Sequence, residues 1–454
     1  MKTRLTFILI FFSTILFAQN IEGDWSGDIQ VQGTKIGFTF TITKEGDKYS
    51  SVVDIPKQGV KDLPVTSTTF KDSTLTLNIA MAGITYEGKY ENNAFVGNYK
   101  QAGLTLPLKL TPGEKKLNRP QEPKKPFPYK SENIIVKNKK AGINLAATLT
   151  LPENVKKAPA VILISGSGPQ NRDSEILGHK PFLLLSDYLT RNGFAVLRFD
   201  ERGVGESEGT FSTATSYDFA DDVESFFNYL ETRKDIDSEN IGLIGHSEGG
   251  SVAPIIAARN KNVAFIVLMA GAGVQGSDLL LSQKKAMQQE LGVDEETIEK
   301  AQKQLGKAYQ MIVNSTENNE AFQQKLTTYL DENFDEVQTH QQAQKLAQQL
   351  TSPWMYNFIR YNPKPSLKKV KCPVLAINGS NDLQVPSKEN LTSIETILTN
   401  NGNKKVTTRE IKNLNHLFQE SKTGLPNEYA EIEQTISPVA LRIISDWLLR
   451  TTAN

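Results

Sequence analysis

The pattern of apolar residues predicts two domains of different class. The first is a small N-terminal all-β barrel or sandwich. The second is an α/β domain, its mostly parallel sheet covered by helices on both faces and interrupted by a helical insertion. Three observations carry this expectation. Residues 19–111 are a run of short alternating segments broken by turn residues. From residue 131 onward, apolar strands alternate with amphipathic helices, the texture of a parallel sheet. Between 274 and 365 that alternation stops and a Gln-, Lys-, Glu- and Ala-rich stretch at helical spacing replaces it, with helices expected over 282–291, 295–313 and 338–350. A chain of 454 residues also exceeds what one ordinary core accommodates.

In the β region the predicted strands are 27–31, 36–43, 49–55, 74–80, 84–90, 94–99 and 104–110, with Glu45-Gly46-Asp47, Lys71-Asp72 and Glu91-Asn92-Asn93 as turns. A module of this kind binds a glycan or lipid, or serves as an accessory that shields or positions an enzyme. The accessory role is the plainer of the two, because small β folds host many functions. Residues 112–130 carry Pro112, Pro120, Pro123, Pro126 and Pro128 among lysines, the composition of an extended, semi-rigid spacer.

The α/β region opens with a hairpin, 133–137 and 143–151. A fully apolar strand, 160–165, follows it, then helix 181–191, strand 194–199 and helix 218–232. Strand 264–270 comes after the central motif described below. Strands 374–378 and 406–411 bracket a helix beginning near 387, and helix 438–449 closes the chain. Residues 131–273 and 366–454 therefore form the core. Residues 274–365 form a cap, which at this position lies over the carboxyl ends of the strands, where functional groups gather.

Composition narrows the function. Lys plus Arg and Asp plus Glu both total 51, so no basic field for nucleic acid or an anionic membrane is expected. The single cysteine, Cys372, forms no internal disulfide, and its strand-like flanks suit a buried structural thiol. Residues 1–18 have the pattern of an export signal: Lys2 and Arg4, then an apolar run, then Ala18. The run is short for a membrane span, so a retained anchor is the lesser alternative and no integral span is expected after cleavage.

The chemistry centres on Gly245-His246-Ser247-Glu248-Gly249-Gly250, a G-x-S-x-G elbow in which a strand ends, the chain turns sharply and a helix begins. Such a turn exposes the serine hydroxyl and sets the next amide, that of Glu248, at a helix N-terminus suited to a developing oxyanion. In the Ser, Asp, His order that accompanies this elbow, the acid follows a later strand and the histidine comes last. Asp382 follows strand 374–378 in Gly379-Ser380-Asn381-Asp382, and His416 follows strand 406–411. His416 is the only histidine downstream of His340. The loop Ser165-Gly166-Ser167-Gly168-Pro169 is the expected source of a second oxyanion amide, Ser167 first and Gly166 as fallback.

Other residues have plainer roles. His246 is expected to point into packing and His340 to belong to the cap, while His179 is a candidate substrate contact because it follows a strand end. Arg202, in the loop Asp200-Glu201-Arg202-Gly203-Val204-Gly205, is expected to clamp neighbouring loops rather than bind substrate. That loop lacks the register and acidic residue of a dinucleotide site, there is no P-loop lysine, and no H-E-x-x-H or Cys/His cluster suggests a metal, so no cofactor is expected. The cap aromatics Trp354, Tyr356, Phe358 and Tyr361 suit either an apolar substrate pocket, with Trp354 and Tyr356 as contacts, or packing between cap helices.

Taken together, Ser165-Gly166-Ser167-Gly168-Pro169, Phe199-Asp200-Glu201-Arg202-Gly203-Val204-Gly205-Glu206-Ser207, the elbow, Gly379-Ser380-Asn381-Asp382 and Asn415-His416 resemble the α/β-hydrolase superfamily over residues 131–450. Within it they resemble bacterial esterases grouped with serine aminopeptidase-like hydrolases that carry a helical cap. The resemblance implies the α/β-hydrolase fold. Two departures stand out: Ser165-Gly166 replaces the common His-Gly, and Pro254 lies inside the helix after the elbow, where it should remove one backbone bond and can kink the helix.

The expectation is therefore an exported serine hydrolase, periplasmic or extracellular, that cleaves small-molecule carboxylic esters. Ser247 acts as nucleophile, His416 as base, Asp382 as orienting acid, and the Glu248 and Ser167 amides hold the oxyanion. The nearest alternative is an aminopeptidase or amidase of the same fold, with Glu248, Glu206 or a cap carboxylate binding the substrate ammonium. A glycan- or lipid-binding protein that uses an inactive hydrolase scaffold is the alternative of another class.

Overall fold

The computed structural model describes residues 20–453 except 32–33, 47, 56–57, 59, 114–117, 154 and 335–336, so the expected export segment lies outside the described residues. The chain divides into two compact units, residues 1–116 and 117–454.

The first unit is built from β1 (Gly23–Val31), β2 (Thr34–Glu45), β3 (Lys48–Ile55), β4 (Val60–Pro64), β5 (Ser67–Lys71), β6 (Thr74–Ile79), β7 (Ile84–Glu91), β8 (Ala94–Gln101) and β9 (Leu104–Pro112). Antiparallel pairing runs β2-β1-β9-β8-β7-β6-β5-β3, and β3 pairs back onto β2, so eight strands close a barrel with β4 attached to β3. Closure decides between the two β architectures that the strand pattern allowed, since a closed sheet leaves few open edges. Period-two alternation is clean in β6 and in the first half of β7, where every second residue is buried. The inward residues include Trp25, Phe38, Phe40, Leu75, Tyr86 and Phe95, which fill the interior. Gly88 is required at its position, because a Cβ there would lie 2.0 Å from the Tyr86 hydroxyl. That hydroxyl donates across the barrel to the carbonyl of Phe95 at 3.1 Å. Strands β4 and β5, only five residues each, are absent from the predicted set.

The second unit is a sheet of eight strands with helices on both faces. Its elements are β10 (Lys130–Asn138), β11 (Ile143–Leu151), β12 (Ala158–Ile164), α1 (Pro181–Arg191), β13 (Ala195–Phe199), α2 (Ser216–Glu231), β14 (Ile236–His246), α3 (Gly249–Arg259), β15 (Ile266–Met269), β16 (Val374–Gly379), α10 (Ser387–Asn400), β17 (Val406–Ile411) and α11 (Pro438–Thr452). The order is β10-β11-β13-β12-β14-β15-β16-β17, antiparallel through β10, β11 and β13 and parallel thereafter. Central strands β13 and β15 are buried along their whole length, as strands covered on both faces must be. Helices α2, α3 and α10 cover one face and α1 with α11 the other. Pro181 opens α1 at its first turn, where a missing N–H costs nothing. Thr215 and Asp218 close a capping box on α2. Helix α3 runs on through Pro254.

Between β15 and β16 the cap consists of α4 (Gly276–Glu290), α5 (Glu295–Asn314), α6 (Glu320–Asn333), α7 (His340–Leu350), α8 (Pro353–Arg360) and α9 (Lys364–Leu367). Three of these, α6, α8 and α9, are not in the predicted set. The last two are short and begin next to prolines, which obscures their period. The thiol of Cys372 is pushed up to about 12 by burial. Among the described residues, no helix is long and apolar enough to cross a membrane.

The proline-rich stretch is more than a spacer. From Asn118 on it belongs to the second unit, and the Arg119 guanidinium donates to the carbonyls of Leu177, Ala430 and Ile432 at 2.8–3.1 Å. Five prolines could not reveal this, because the partners are loop carbonyls remote in sequence.

Arg202 is the expected clamp. Its Nε and Nη2 donate to the two oxygens of Asp222 at 2.7 and 2.9 Å, and Nη2 also reaches the Asp218 carbonyl at 2.9 Å. The Asn138 amide supplies a further donor to Asp222 at 2.6 Å, so this buried carboxylate is satisfied by partners from two segments outside its own helix. Replacing Arg202 with Met should strand that carboxylate and cost about 3–5 kcal/mol. The loss is to be read as a lower urea midpoint of the second unit, and an unchanged midpoint would refute the clamp.

Candidate active site

β14 ends at His246 and α3 begins at Gly249, which leaves Ser247 at the apex with φ of 52°. That left-handed backbone is costly for a serine and survives only where the surroundings impose it. Here they do. A Cβ on Gly245 would lie 2.0 Å from the Gly249 carbonyl oxygen, and one on Gly249 would lie 2.2 Å from that of Ile164. The Ser247 amide donates to Met269 of β15 at 2.8 Å, which anchors the turn to the next strand.

Asp382 sits just past β16. Its Oδ1 accepts the amides of Gln384 and Val385, each at 2.9 Å, and its Oδ2 lies 2.9 Å from His416 Nδ1. A carboxylate only accepts, so Nδ1 carries the proton and Nε2 keeps the lone pair. The Asp382 side chain is fully buried and that of His416 is 6% exposed.

Ser247 and His416 line one cavity of about 350 Å³. Ser167 and Gly166 border it from the loop after β12, and Trp354, Met355 and Phe358 of α8 roof it with Leu279 and Leu280 of α4. Phe182, Leu417, Phe418 and Ile436 continue an apolar wall, with Gln170, Gln283 and Gln384 as polar points. Among the described residues, no lysine, arginine, aspartate or glutamate lines it.

Two buried carboxyls brace this constellation from behind. Glu201 holds both ends of the Ser165–Gln170 loop: Oε1 accepts the Ser165 hydroxyl at 2.7 Å and Oε2 the Gln170 amide at 3.0 Å. Its own amide returns to the Gln170 carbonyl at 3.1 Å. The serine that replaces the common histidine thus has a defined partner. Burial pushes the Glu201 carboxyl up to about 8, with nearby Glu248 adding to it. The Glu248 side chain is buried behind the cavity-lining residues. It accepts Ser216 Oγ at 2.5 Å and the Trp354 indole N–H at 3.0 Å to both oxygens, and burial raises its pKa. The elbow and the cap are thereby joined.

His246 differs from the packing role expected of it. It borders the cavity, its ring centroid lies 4.9 Å from that of His416, and its Nε2 meets the His416 carbonyl at 2.9 Å. Burial holds it down to about 4, so it is neutral near pH 7 and donates to that carbonyl.

Two expected substrate contacts are corrected. His179 is fully buried: Nε2 lies 2.9 Å from the Tyr429 carbonyl and Nδ1 2.9 Å from Thr435 Oγ1, and burial lowers its pKa to about 4. It joins two loops and meets no substrate. Tyr356 points into the cap, its hydroxyl 2.7 Å from Ser315 Oγ and its ring 5.0 Å from the Arg360 guanidinium. Of the four cap aromatics, Trp354 and Phe358 face the cavity and stack at 5.2 Å, whereas Tyr361 donates to the Ser251 carbonyl at 3.2 Å. Residues two apart on a helix point about 200° apart, so Tyr356 and Trp354 could not both face one cavity. Glu201 and the side-chain role of Glu248 were not anticipated. The only hint was that Glu248 stands beside a motif glycine and Glu201 two residues before one.

The raised Glu201 pKa has a stability consequence. Unfolded, the carboxyl ionises near its ordinary 4.5, whereas folded it holds its proton to about 8. Its contribution is complete below pH 4.5 and is lost as pH rises through 8. In Glu201→Gln this loss is absent, so urea-denaturation free energy should decline less between pH 4.5 and 8 than in wild type. An unchanged slope would refute the assignment.

A family profile described as Serine aminopeptidase, S33 matches residues 181–421, more than half of the chain. An uncharacterised 31.7 kDa protein from the traX-finO intergenic region of Escherichia coli is 26% identical over 250 residues, 54% of this chain and 80% of that protein. Esterase EstD of Thermotoga maritima is 29% identical over 124 residues, 27% of this chain and 30% of its own length. A solved esterase of Pyrococcus furiosus aligns with a TM-score of 0.43 at 15% identity, over 74% of this chain and 98% of its own. With the sheet order, the elbow and the matched span in hand, the chain belongs to the serine aminopeptidase S33 family of α/β-hydrolases and is a serine hydrolase.

Proposed function

We propose that this enzyme hydrolyses uncharged carboxylic esters through an acyl-enzyme on Ser247. His416 Nε2 takes the Ser247 proton as Oγ attacks the carbonyl carbon, and Asp382 stabilises the imidazolium. The amides of Glu248 and Ser167 receive the negative charge that develops on the carbonyl oxygen. Collapse of the tetrahedral intermediate breaks the ester C–O bond, and the alcohol leaves with the proton from His416. Water then enters by the same route, giving up a proton to His416 and releasing the acid and free Ser247.

The observation that carries the choice of ester is the uncharged lining of the cavity. A peptide with a free N-terminus brings an ammonium, and burying it without a counter-ion is costly. The carboxylates once available for that role are engaged elsewhere: Glu248 accepts from Trp354 and Ser216, and Glu206 pairs with Arg172 at 2.6 Å. The name Esterase EstD of one relative agrees with this reading.

Export is part of the proposal and rests on the composition of residues 1–18. Mass spectrometry of protein recovered outside the cytoplasm should find a new N-terminus near Gln19. Protein confined to the cytoplasm with its first residues intact would refute it.

Ser247→Ala should abolish hydrolysis of p-nitrophenyl esters and labelling by a fluorophosphonate, while Asp382→Asn should lower kcat by about 10⁴-fold. Short acyl esters should turn over and aminoacyl p-nitroanilides should not. Preferential anilide cleavage would reverse the substrate choice, and wild-type turnover by Ser247→Ala would overturn the nucleophile.

A further inference from the structure

We propose that the segment leading from the barrel into the catalytic unit shapes the substrate cavity, with Arg119 and Gln121 as positioning residues that set its selectivity for the size of the ester's apolar substituents. This rests on the assignment of the cavity made under Proposed function.

One side of the cavity is built from two loop stretches with little regular structure. The loop between β12 and α1 contributes Ser174 and Ile176, and the stretch before α11 contributes Tyr429 and Ile436. Their own regular structure is limited to a single bridge between Ile176 and His179 and one 3₁₀ turn, Pro426–Glu428, that ends at Tyr429. The first is also strained, since Ser174 and Leu177 are non-glycine residues in left-handed backbone at φ of 50° and 51°. Such a conformation persists only when its surroundings over-determine it.

Arg119 and Gln121 supply much of that determination. Arg119 Nη2 donates to the carbonyl of the strained Leu177 at 2.8 Å and to that of Ala430 at 2.9 Å, while Nη1 reaches the Ile432 carbonyl at 3.1 Å. A planar guanidinium thus spans both stretches, which a flexible ammonium cannot reproduce. Gln121 fixes the far end. Its Nε2 donates to the Ile436 carbonyl at 2.8 Å, and its Oε1 accepts the amides of Thr435 and Ile436 at 2.6 and 3.1 Å. Buried His179 lies between the same two stretches, and Glu122 pairs with Lys180 at 2.8 Å just before α1. None of these groups touches Ser247, His416 or Asp382. Their effect on the reaction passes through Ile176, Tyr429 and Ile436, which meet the substrate.

Loosening this wall leaves the proton-transfer groups in place and degrades the fit of large substituents. The test uses the full chain with Arg119→Ala and, separately, Gln121→Ala. Rates are measured on p-nitrophenyl acetate against p-nitrophenyl octanoate, and on methyl against octyl acetate, so that either the acyl or the alcohol side can report. In at least one series, the long-to-short ratio of kcat/KM should fall about tenfold in both variants, the discrimination that a methylene-sized misfit produces in an apolar pocket. The change should lie in KM rather than kcat. Wild-type ratios in both series, or an equal loss of kcat on every ester, would overturn the proposal. Thermal melting identifies a variant that fails to fold, and Gln121→Ala, which removes no charge, then decides alone. Failure of the catalytic assignment is separately visible, because Ser247→Ala would then keep wild-type turnover whatever stands at position 119.

Discussion

Backbone meets backbone at the elbow with no room for a Cβ, and the rest of the catalytic unit is arranged around that contact. β14 lies between β12 and β15, and glycines at 245 and 249 allow α3 to start against the end of β12. The close approach forces Ser247 into its left-handed conformation and sets the loop after β12 beside it. β16 and β17, next in the sheet, end at the same level and deliver Asp382 and His416. Parallel strands are the reason this works. Their carboxyl ends share one edge, so loops far apart in sequence converge there.

Buried carboxyl groups do the bracing, and each is defined by its hydrogen-bond partners. Asp382 receives two amides and the His416 ring, Asp222 the Arg202 fork and Asn138, Glu201 the two ends of one loop, and Glu248 a hydroxyl and an indole. A buried carboxylate already supplied with donors is a poor ligand for an incoming cation, since binding one would break existing bonds. The same saturation explains how a site surrounded by acidic residues presents a cavity without charge. The Glu248 to Trp354 contact also means that the roof of the cavity is registered against the elbow itself rather than against the sheet.

Much of the fold was legible because it is written in local periodicity. Helix 181–191 and strand 406–411 match α1 and β17 to the residue. Fully apolar strands are unambiguous when they are buried on both faces. The elements left unpredicted, β4, β5, α6, α8 and α9, are mostly short, and two of the helices begin beside prolines. Strand β12 begins two residues before the predicted strand and β15 two residues after it, and each ladder ends one residue before the apolar run does. Barrel closure is the clearest case beyond local pattern, since it depends on β1 pairing with β9, at the other end of the unit, as well as with its neighbour β2.

Sequence alone determined the order of elements, the elbow, and the positions after β16 and β17 at which Asp382 and His416 stand, because chain order and strand ends are local properties. Only tertiary structure decided which side chains share a space. His179 and Trp354 were equal candidates by pattern, yet one is enclosed between two loops and the other roofs the cavity. Tyr356 and Phe358, two residues apart on α8, face different surroundings because a helix turns. The Glu248 side chain and the Arg119 guanidinium found partners more than a hundred residues away, at Trp354 and at Ala430. Hydrogen-bond partners at such separations are set by how the sheet and cap pack. No periodicity along the chain records them.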